Sequence, residues 1–491
     1  MQRAGSLFLG FDVGTQSTKA LVVDVDARRV VARASCPHAL LPGLPPGHME
    51  QDPGMWLAAV QQSGRAALAQ VDARAVAGIG VSGQQHGCVV LDDHGAVVRP
   101  AKLWCDTATA EQARELAAKL GRAVPTGFTA SKLLWLAQHE PANWARVRAV
   151  LLPHDYVNFW LTGERSMEFG DASGSGFFDP VARRWDAAAM AAIDPRLAAM
   201  LPPLRAPGGL AGRLRGDAAE ALGLAPGLPV ATGGGDNMMA AIGSGATAAG
   251  IVVCSLGTSG TIFTRTESAV VDPTGLIAPF CSSDGAWLPL LCVMNLTGVS
   301  EEVKAATGRS HQELTGLAAA VPPGSSGLTW LPFLCGERVP DLPEATGTLL
   351  GLRPGLLQPG PLYRAALEGT GCTLAFGLDR MRALGLVVDE VRLCGGAAQN
   401  PLWRQILADL FAVPVRVSEE HEAAALGAAL QAAWAAERAA GRPVALHDLV
   451  APFVRLGPTV GPQDRFRPLH QALRHRWREQ LERLHPGVRE R

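Results

Sequence analysis

A chain of 491 residues is longer than one hydrophobic core organises, so two or more domains are expected. Hydrophobic residues make up 48% and charged residues 18%, which excludes a disordered chain. The formal net charge of −1 supplies no overall field for nucleic acid or an anionic membrane, so any phosphate binding has to be local.

The nine cysteines are scattered with no Cys-x-x-Cys pair, against a zinc site, an iron–sulfur cluster or a disulfide frame. No 18-residue apolar run offers a membrane span, and Met1 to Ser6 leads into a strand without a secretory pattern. The expectation is a cytoplasmic protein.

Three short apolar runs, Leu7 to Asp12, Ala20 to Val25 and Val30 to Ala34, read as an antiparallel meander. A helix follows from Met55 to Leu68, with Asp52 as N-cap and Pro53 at its first position. Val76 to Val81 is a strand ending in Ser82-Gly83-Gln84-Gln85-His86-Gly87. From Ala108 to Leu224 the chain reads as helical and alanine-rich, as insertions on the first core. Leu228 to Thr232 is a strand that runs into Gly233-Gly234-Gly235-Asp236-Asn237 and a small-residue helix, Met238 to Gly243.

The second half restarts with a hairpin, Ile251 to Cys254 and Ile262-Phe263. Leu328 to Pro343 is too rich in turn formers for a regular element. Tyr363 to Leu384 is a long apolar helix, and Val387 to Cys394 a strand leading into Gly395-Gly396-Ala397-Ala398. Asn400 then caps a helix that has Pro401 at its first position. A terminal helix carries Leu469, Leu473, Trp477, Leu481 and Leu484 on one face, expected to dock on the body.

The most informative feature is a duplicated turn. Gly14-Thr15-Gln16-Ser17-Thr18 and Gly257-Thr258-Ser259-Gly260-Thr261 stand half a chain apart, each between two apolar strands. Such turns expose backbone N–H groups and hydroxyls, which suit phosphate oxygens. Two of them suggest a nucleotide held between related halves. Only five of the 44 basic residues are lysine, and Lys19 follows the first turn directly.

Asp12 ends the first strand beside the first turn. A carboxylate there is repelled by phosphate unless a cation such as Mg²⁺ lies between them, though an Asp also suits the start of a turn. Asp236 follows three glycines that let a ligand approach the backbone. It is placed as a general base for a hydroxyl attacking a γ-phosphate, a role compatible with capping the helix after it. Walker-type and dinucleotide-type glycine loops are absent.

Taken in order over nearly the whole chain, these motifs resemble the FGGY carbohydrate kinases, of the actin-like ATPase fold. Asp12 to Thr18 is similar to that family's first phosphate motif, and Glu50-Gln51-Asp52-Pro53 to a further segment. Gly83 to Gly87 resembles the substrate loop of its xylulose-specific members, and Gly233 to Asn237 the catalytic-base loop. Leu256 to Gly260, Gly336-Glu337-Arg338, Arg392 to Ala397 and Glu422 to Ala428 resemble its second phosphate, connecting, adenosine and closing motifs. Two departures lie on the sugar side. Trp104-Cys105-Asp106-Thr107-Ala108 lacks an Arg common in the family, and Gln85 stands where Met is usual.

The resemblance implies an α/β fold of two actin-like (ribonuclease H-like) domains, 1–246 and 247–491, with the site in the cleft. It implies Asp236 as proton acceptor and Asp12 as a residue required for activity, the two serving Mg²⁺. Gln85, His86, Asp236 and Asn237 would hold the sugar. ATP would lie on Gly14, Thr15, Gln16, Ser17, Thr18 and Lys19, on Gly257, Thr258 and Ser259, and on Gly395, Gly396, Ala397 and Asn400. The implied reaction is ATP-dependent phosphorylation of a ketopentose, D-xylulose, in pentose catabolism. Alternatives are a kinase for another ketopentose or polyol, and a sugar-sensing or structural ATPase of the same fold. The partners implied are sugar and ATP, with no nucleic acid or membrane, and a homodimer as the oligomer left open.

Overall fold

The computed structural model describes residues 5–442 and 444–488. The elements that position the site are, in chain order, β1 (Leu7–Val13), β2 (Ser17–Asp24), β3 (Arg29–Pro37), α1 (Pro53–Leu68), β4 (Val76–Gly83) and α2 (Thr129–His139). Then come β5 (Leu210–Arg213), β6 (Pro229–Ala231), β7 (Gly234–Gly235), α3 (Asp236–Gly243), β8 (Gly250–Leu256) and β9 (Gly260–Thr264). The rest are β10 (Ala278–Cys281), β11 (Trp287–Val293), α4 (Pro359–Ala383), β12 (Val388–Cys394), α5 (Pro401–Phe411), β13 (Val415–Val417), α6 (Ala423–Ala439) and α7 (Arg467–Leu484).

Two sheets repeat one plan. The first runs β5-β6-β4-β1-β2-β3, with β7 also on β4; the second runs β10-β11-β9-β8-β12-β13. In each, an antiparallel meander meets a strand parallel to its first member: β4 on β1, and β12 on β8. This is the actin-like plan that the family resemblance implies. All seven residues of β1 are buried, as a central strand covered on both faces requires.

The helix signals hold. The Asp52 side chain accepts from Gly54 N at the start of α1, and Asn400 accepts from Leu402 N and Trp403 N at the start of α5. Three expectations need correction. Residues 108–224 are not simply helical; they include short strands, and β5 joins the first sheet. Thr329–Leu331, inside the stretch expected to be irregular, is a strand that pairs with Thr348–Leu350 beyond its end. In α7, Leu473, Trp477 and Leu481 are buried, but Leu469 and Leu484 are exposed because the helix ends reach past the core.

Helix α6 belongs by sequence to the second half but packs on the first sheet. Its Ala425, Leu426, Ala429 and Trp434 share a core with Phe8, Leu21 and Val23 of the first sheet and with Met239 and Ile242 of α3. Glycines permit this. A methyl on Gly427 would fall 1.9 Å from Met239 O, and one on Gly10 would fall 2.1 Å from Ala425 O. Among the described residues no helix is long and apolar enough to cross a membrane.

Candidate active site

Strand register brings the two sequence-predicted carboxylates together. Asp12 of β1 lies abreast of Ser82 of β4, and Ser82 abreast of Gly234 of β7. Two residues on, Asp236 opens α3, with Gly235 rather than Asp236 as its cap. Asp12 Oδ1 accepts from Ser82 Oγ at 3.0 Å. Asp236 Oδ1 accepts from Asn237 N (2.7 Å) and Asn237 Nδ2 (3.0 Å), while Oδ2 makes no hydrogen bond among the described residues.

Burial raises the Asp12 carboxyl above its ordinary range, partly offset by Lys19 and Ser82. Burial, then the Asp12 charge, pushes Asp236 up to about 7. Two coupled carboxyls whose charged forms are both disfavoured suit either a proton acceptor or a cation.

The predicted sugar side assembles around them. Asn237 Nδ2 also donates to Gln85 Oε1 (2.9 Å), and Asn237 Oδ1 accepts from Thr261 Oγ1 (2.9 Å) of β9 in the second sheet. Gln85 Nε2 is buried with no hydrogen-bond partner among the described residues, a donor left over beside Asn237. His86 has φ 64, a left-handed conformation that strains a residue with a Cβ by about 1–2 kcal/mol. Its ring lies 4.7 Å from the Phe128 ring and 6.1 Å from Phe280 of the second sheet. Burial, then Lys132 and Arg338, hold its imidazole well below the ordinary value, so it is neutral near pH 7.

The two Gly-Thr turns are closed in the same way but differ by one residue in length, four between Val13 and Thr18 and three between Leu256 and Gly260. Gly14 N donates to Ser17 O and Gly257 N to Ser259 O, both at 3.1 Å. Thr15 Oγ1 is engaged inside the protein, donating to Gln84 Oε1 (3.1 Å) and accepting from Trp104 Nε1 (3.0 Å). Thr18 is buried, with Oγ1 3.3 Å from His38 Nε2. Lys19 Nζ lies 2.7 Å from Glu422 Oε2 and 3.9 Å from Asp12 Oδ2, so its charge ties the first turn to the entry of α6.

In the second sheet, Ser255 lies abreast of Cys394, which puts the Gly257-Thr258-Ser259 turn beside Gly395. Gly395 (φ 91) passes so close to β8 that a methyl there would fall 2.6 Å from Leu256 O. Gly396 has open space where a Cβ would point, and Ala397 follows it in a short 3₁₀ turn. The Asn400 side chain is not free for a ligand: Oδ1 caps α5 and Nδ2 donates to Thr315 Oγ1 at 2.9 Å.

Several participants carried no motif signal. Lys132, fully buried, donates to the carbonyls of His86 (2.8 Å) and Gly127 (2.5 Å), and burial lowers its ammonium to about 7. Gln431 of α6 holds Gly233 of the glycine loop before Asp236 by both its N–H and its C=O. Arg338, by contrast, belongs to the connecting motif, and it comes close to Gly127, where a methyl would fall 3.2 Å from its Nη2.

His48, Glu50 and Asp106 form the one three-residue cluster of metal-ligand type among the described residues. The Lys102 ammonium already lies among them, 3.2 Å from His48 Nδ1, 3.0 Å from Glu50 Oε1 and 3.1 Å from Asp106 Oδ2. A cation from the adjacent strand thus pairs the Asp106 of the segment that lacks its Arg.

Comparison with known proteins identifies the family and the fold. Residues 7–243 match the N-terminal domain of the FGGY family of carbohydrate kinases and residues 252–436 its C-terminal domain. The chain is 42% identical over 447 residues to a xylulose kinase of Haemophilus influenzae, covering 87% of this chain and 90% of that one. Among solved structures it resembles a xyloylose kinase of Brucella ovis, with TM-score 0.91 and 31% identity over 98% of this chain and 99% of that one. A xylulose kinase of Rhodospirillum rubrum gives TM-score 0.87 and 28% identity over 98% of this chain and 100% of that one. The chain belongs to the FGGY family of carbohydrate kinases, enzymes that phosphorylate sugars.

Proposed function

We propose that the protein transfers the γ-phosphoryl group of ATP to the 5-hydroxyl of D-xylulose. The observation that carries the reading is the Asp236 carboxyl: one oxygen is tied to Asn237 and the other is unbonded, beside a loop holding an unused Gln85 donor. The likeness to kinases of xylulose supports the choice of sugar.

In this reading Gln85, His86 and Asn237 orient the sugar. Its 5-hydroxyl oxygen forms the new bond to the γ-phosphorus as the bond to the ADP oxygen breaks, and the hydroxyl proton passes to Asp236 Oδ2. The backbone N–H groups of the Gly14 and Gly257 turns face the phosphates, and adenine lies against Gly396. Asp12 and Asp236 would hold Mg²⁺, which when bound neutralises phosphate oxygens that would otherwise repel both carboxylates. The nine unpaired cysteines fit a reducing cytoplasm.

The testing experiment is ADP release with Mg-ATP against D-xylulose, L-xylulose, D-ribulose, L-ribulose and glycerol in parallel. Selective turnover of D-xylulose is expected. Preference for another sugar removes the substrate assignment, and no sugar-stimulated turnover removes the kinase.

A steric variant probes the sugar side separately. A methyl on Gly174 would fall 2.1 Å from His86 Cε1 and 2.2 Å from Nδ1. The ring has to move, and overpacking of this kind costs about 1–3 kcal/mol. Gly174→Ala is therefore expected to raise the sugar KM roughly tenfold and leave the ATP KM nearly unchanged. An unaltered sugar KM would remove His86 from the binding site.

A further inference from the structure

We infer that Lys132 is a positioning residue for sugar recognition: its amine and the Thr129 hydroxyl clamp the His86 carbonyl, and so fix the His86 ring in the cleft. The inference rests on the reading of His86 as a sugar-binding residue.

His86 is one of few residues with a side chain held at positive φ, and its peptide does not rest in that conformation without restraint. The restraint comes from α2. Lys132 Nζ donates to His86 O at 2.8 Å, and Thr129 Oγ1 donates to the same oxygen at 3.2 Å. The second acceptor of Lys132, Gly127 O at 2.5 Å, lies just ahead of α2, so the amine binds the loop to the start of that helix.

A lysine used only to fill space would be a poor choice here. It is 1% exposed, and among the described residues no carboxylate hydrogen-bonds or ion-pairs with its amine, Asp106 attracting its charge only from a distance. Burying an amine without a counter-ion is unfavourable, and an apolar side chain of similar volume packs the same space without that penalty. What the amine supplies and a methionine could not is hydrogen bonding to two carbonyls, one of them in the loop that carries Gln85 and His86. On the far side, the same ring meets Phe128, the residue immediately before Thr129. Carbonyl and ring are thus both held from one helix start.

The test is steady-state kinetics of Lys132→Met and Thr129→Val beside the wild-type enzyme, on whichever sugar the wild type turns over. Lys132→Met is expected to raise the sugar KM about tenfold or more, and Thr129→Val about threefold, with the ATP KM within about twofold in both. In spectra of ¹⁵N-histidine-labelled protein, the His86 signals, assigned by their loss in His86→Gln, should shift in both variants.

A folded Lys132→Met enzyme with unchanged sugar KM, or with sugar and ATP KM raised together, overturns the clamp. Should that variant not fold, Thr129→Val decides alone, and an unchanged sugar KM with an unmoved His86 signal overturns it. A wild type inactive on every sugar sinks the sugar reading itself, whereas an active wild type with an indifferent Lys132→Met sinks only the clamp.

Discussion

Asp236→Asn is expected to lose about 10²–10⁴ of kcat, the usual contribution of a positioned general base, while ATP affinity is retained. The substitution keeps the geometry. An Asn carbonyl oxygen can still accept from Asn237 N, but an NH₂ group replaces the unbonded Oδ2 and has no lone pair to take a proton. The pH dependence follows from the same carboxyl. Burial, with Asp12 next, places it at about 7, so a base that works only when ionised gives a kcat/KM that falls as pH drops below about 7.

The stability effect has the opposite sign. A carboxyl whose pKa is raised in the folded state contributes stability below its unfolded value, near 3.8, and that contribution is lost as pH rises through about 7. Asn is neutral throughout. Without nucleotide, Asp236→Asn should therefore melt higher than the wild type at pH 8, and the gap should close as pH falls toward 4. Sugar-dependent ADP release and melting curves at both pH values check the pair of effects. A variant with wild-type kcat, or one less stable than the wild type at pH 8, would refute the assignment.

What the sequence disclosed was local. The Gly-Thr turns, the glycine run before Asp236 and the capped helices are contiguous signals, and the strands beside them form where the patterns put them. Register then does what no motif states: it sets Asp12, Ser82 and Gly234 side by side, so that two carboxylates more than two hundred residues apart couple. Side-chain direction was less legible. Thr15, Thr18 and Asn400 occur in nucleotide-like motifs, yet their polar atoms are engaged within the protein.

The polar residues missed share a sign that was present but unread. Lys132 stands among Ala130, Leu133 and Leu134, and Gln431 among Ala429, Leu430 and Ala432. A long polar side chain beside apolar neighbours on a helix is either turned outward or occupied, and only the fold tells which. Helix α6 itself is apolar around its circumference, the pattern of a helix buried on more than one side. Which sheet it meets depends on contacts across half the chain, beyond the reach of periodicity.

Gln431→Leu is expected to be the most damaging substitution outside the reacting groups. Gln431 is fully buried; its Oε1 accepts from Gly233 N at 2.9 Å, and its Nε2 donates to Gly233 O at 3.2 Å and Ser283 O at 3.1 Å. Leucine fills nearly the same volume but leaves three buried main-chain groups unpaired, each worth about 1–3 kcal/mol, so a total loss of about 3 kcal/mol or more is expected. The cost cannot be relieved by moving the helix. Gly427 and Gly243 hold α6 and α3 backbone to backbone, a methyl on Gly243 falling 1.9 Å from Ala423 O.

The loosened segment is the one that aims the base, because Gly233 precedes Asp236 by three residues. Ser283 follows β10 in the second sheet and donates from Oγ to Glu168 Oε2 at 3.0 Å. One side chain therefore joins the catalytic loop to both sheets, which makes the aim of Asp236 depend on how the two halves sit together. A melting temperature lowered by several degrees, with kcat reduced about tenfold and the ATP KM little changed, is the expected result. Lowered stability with an untouched kcat would make Gln431 a fold residue only, and a variant matching the wild type in both would remove α6 from control of the catalytic loop.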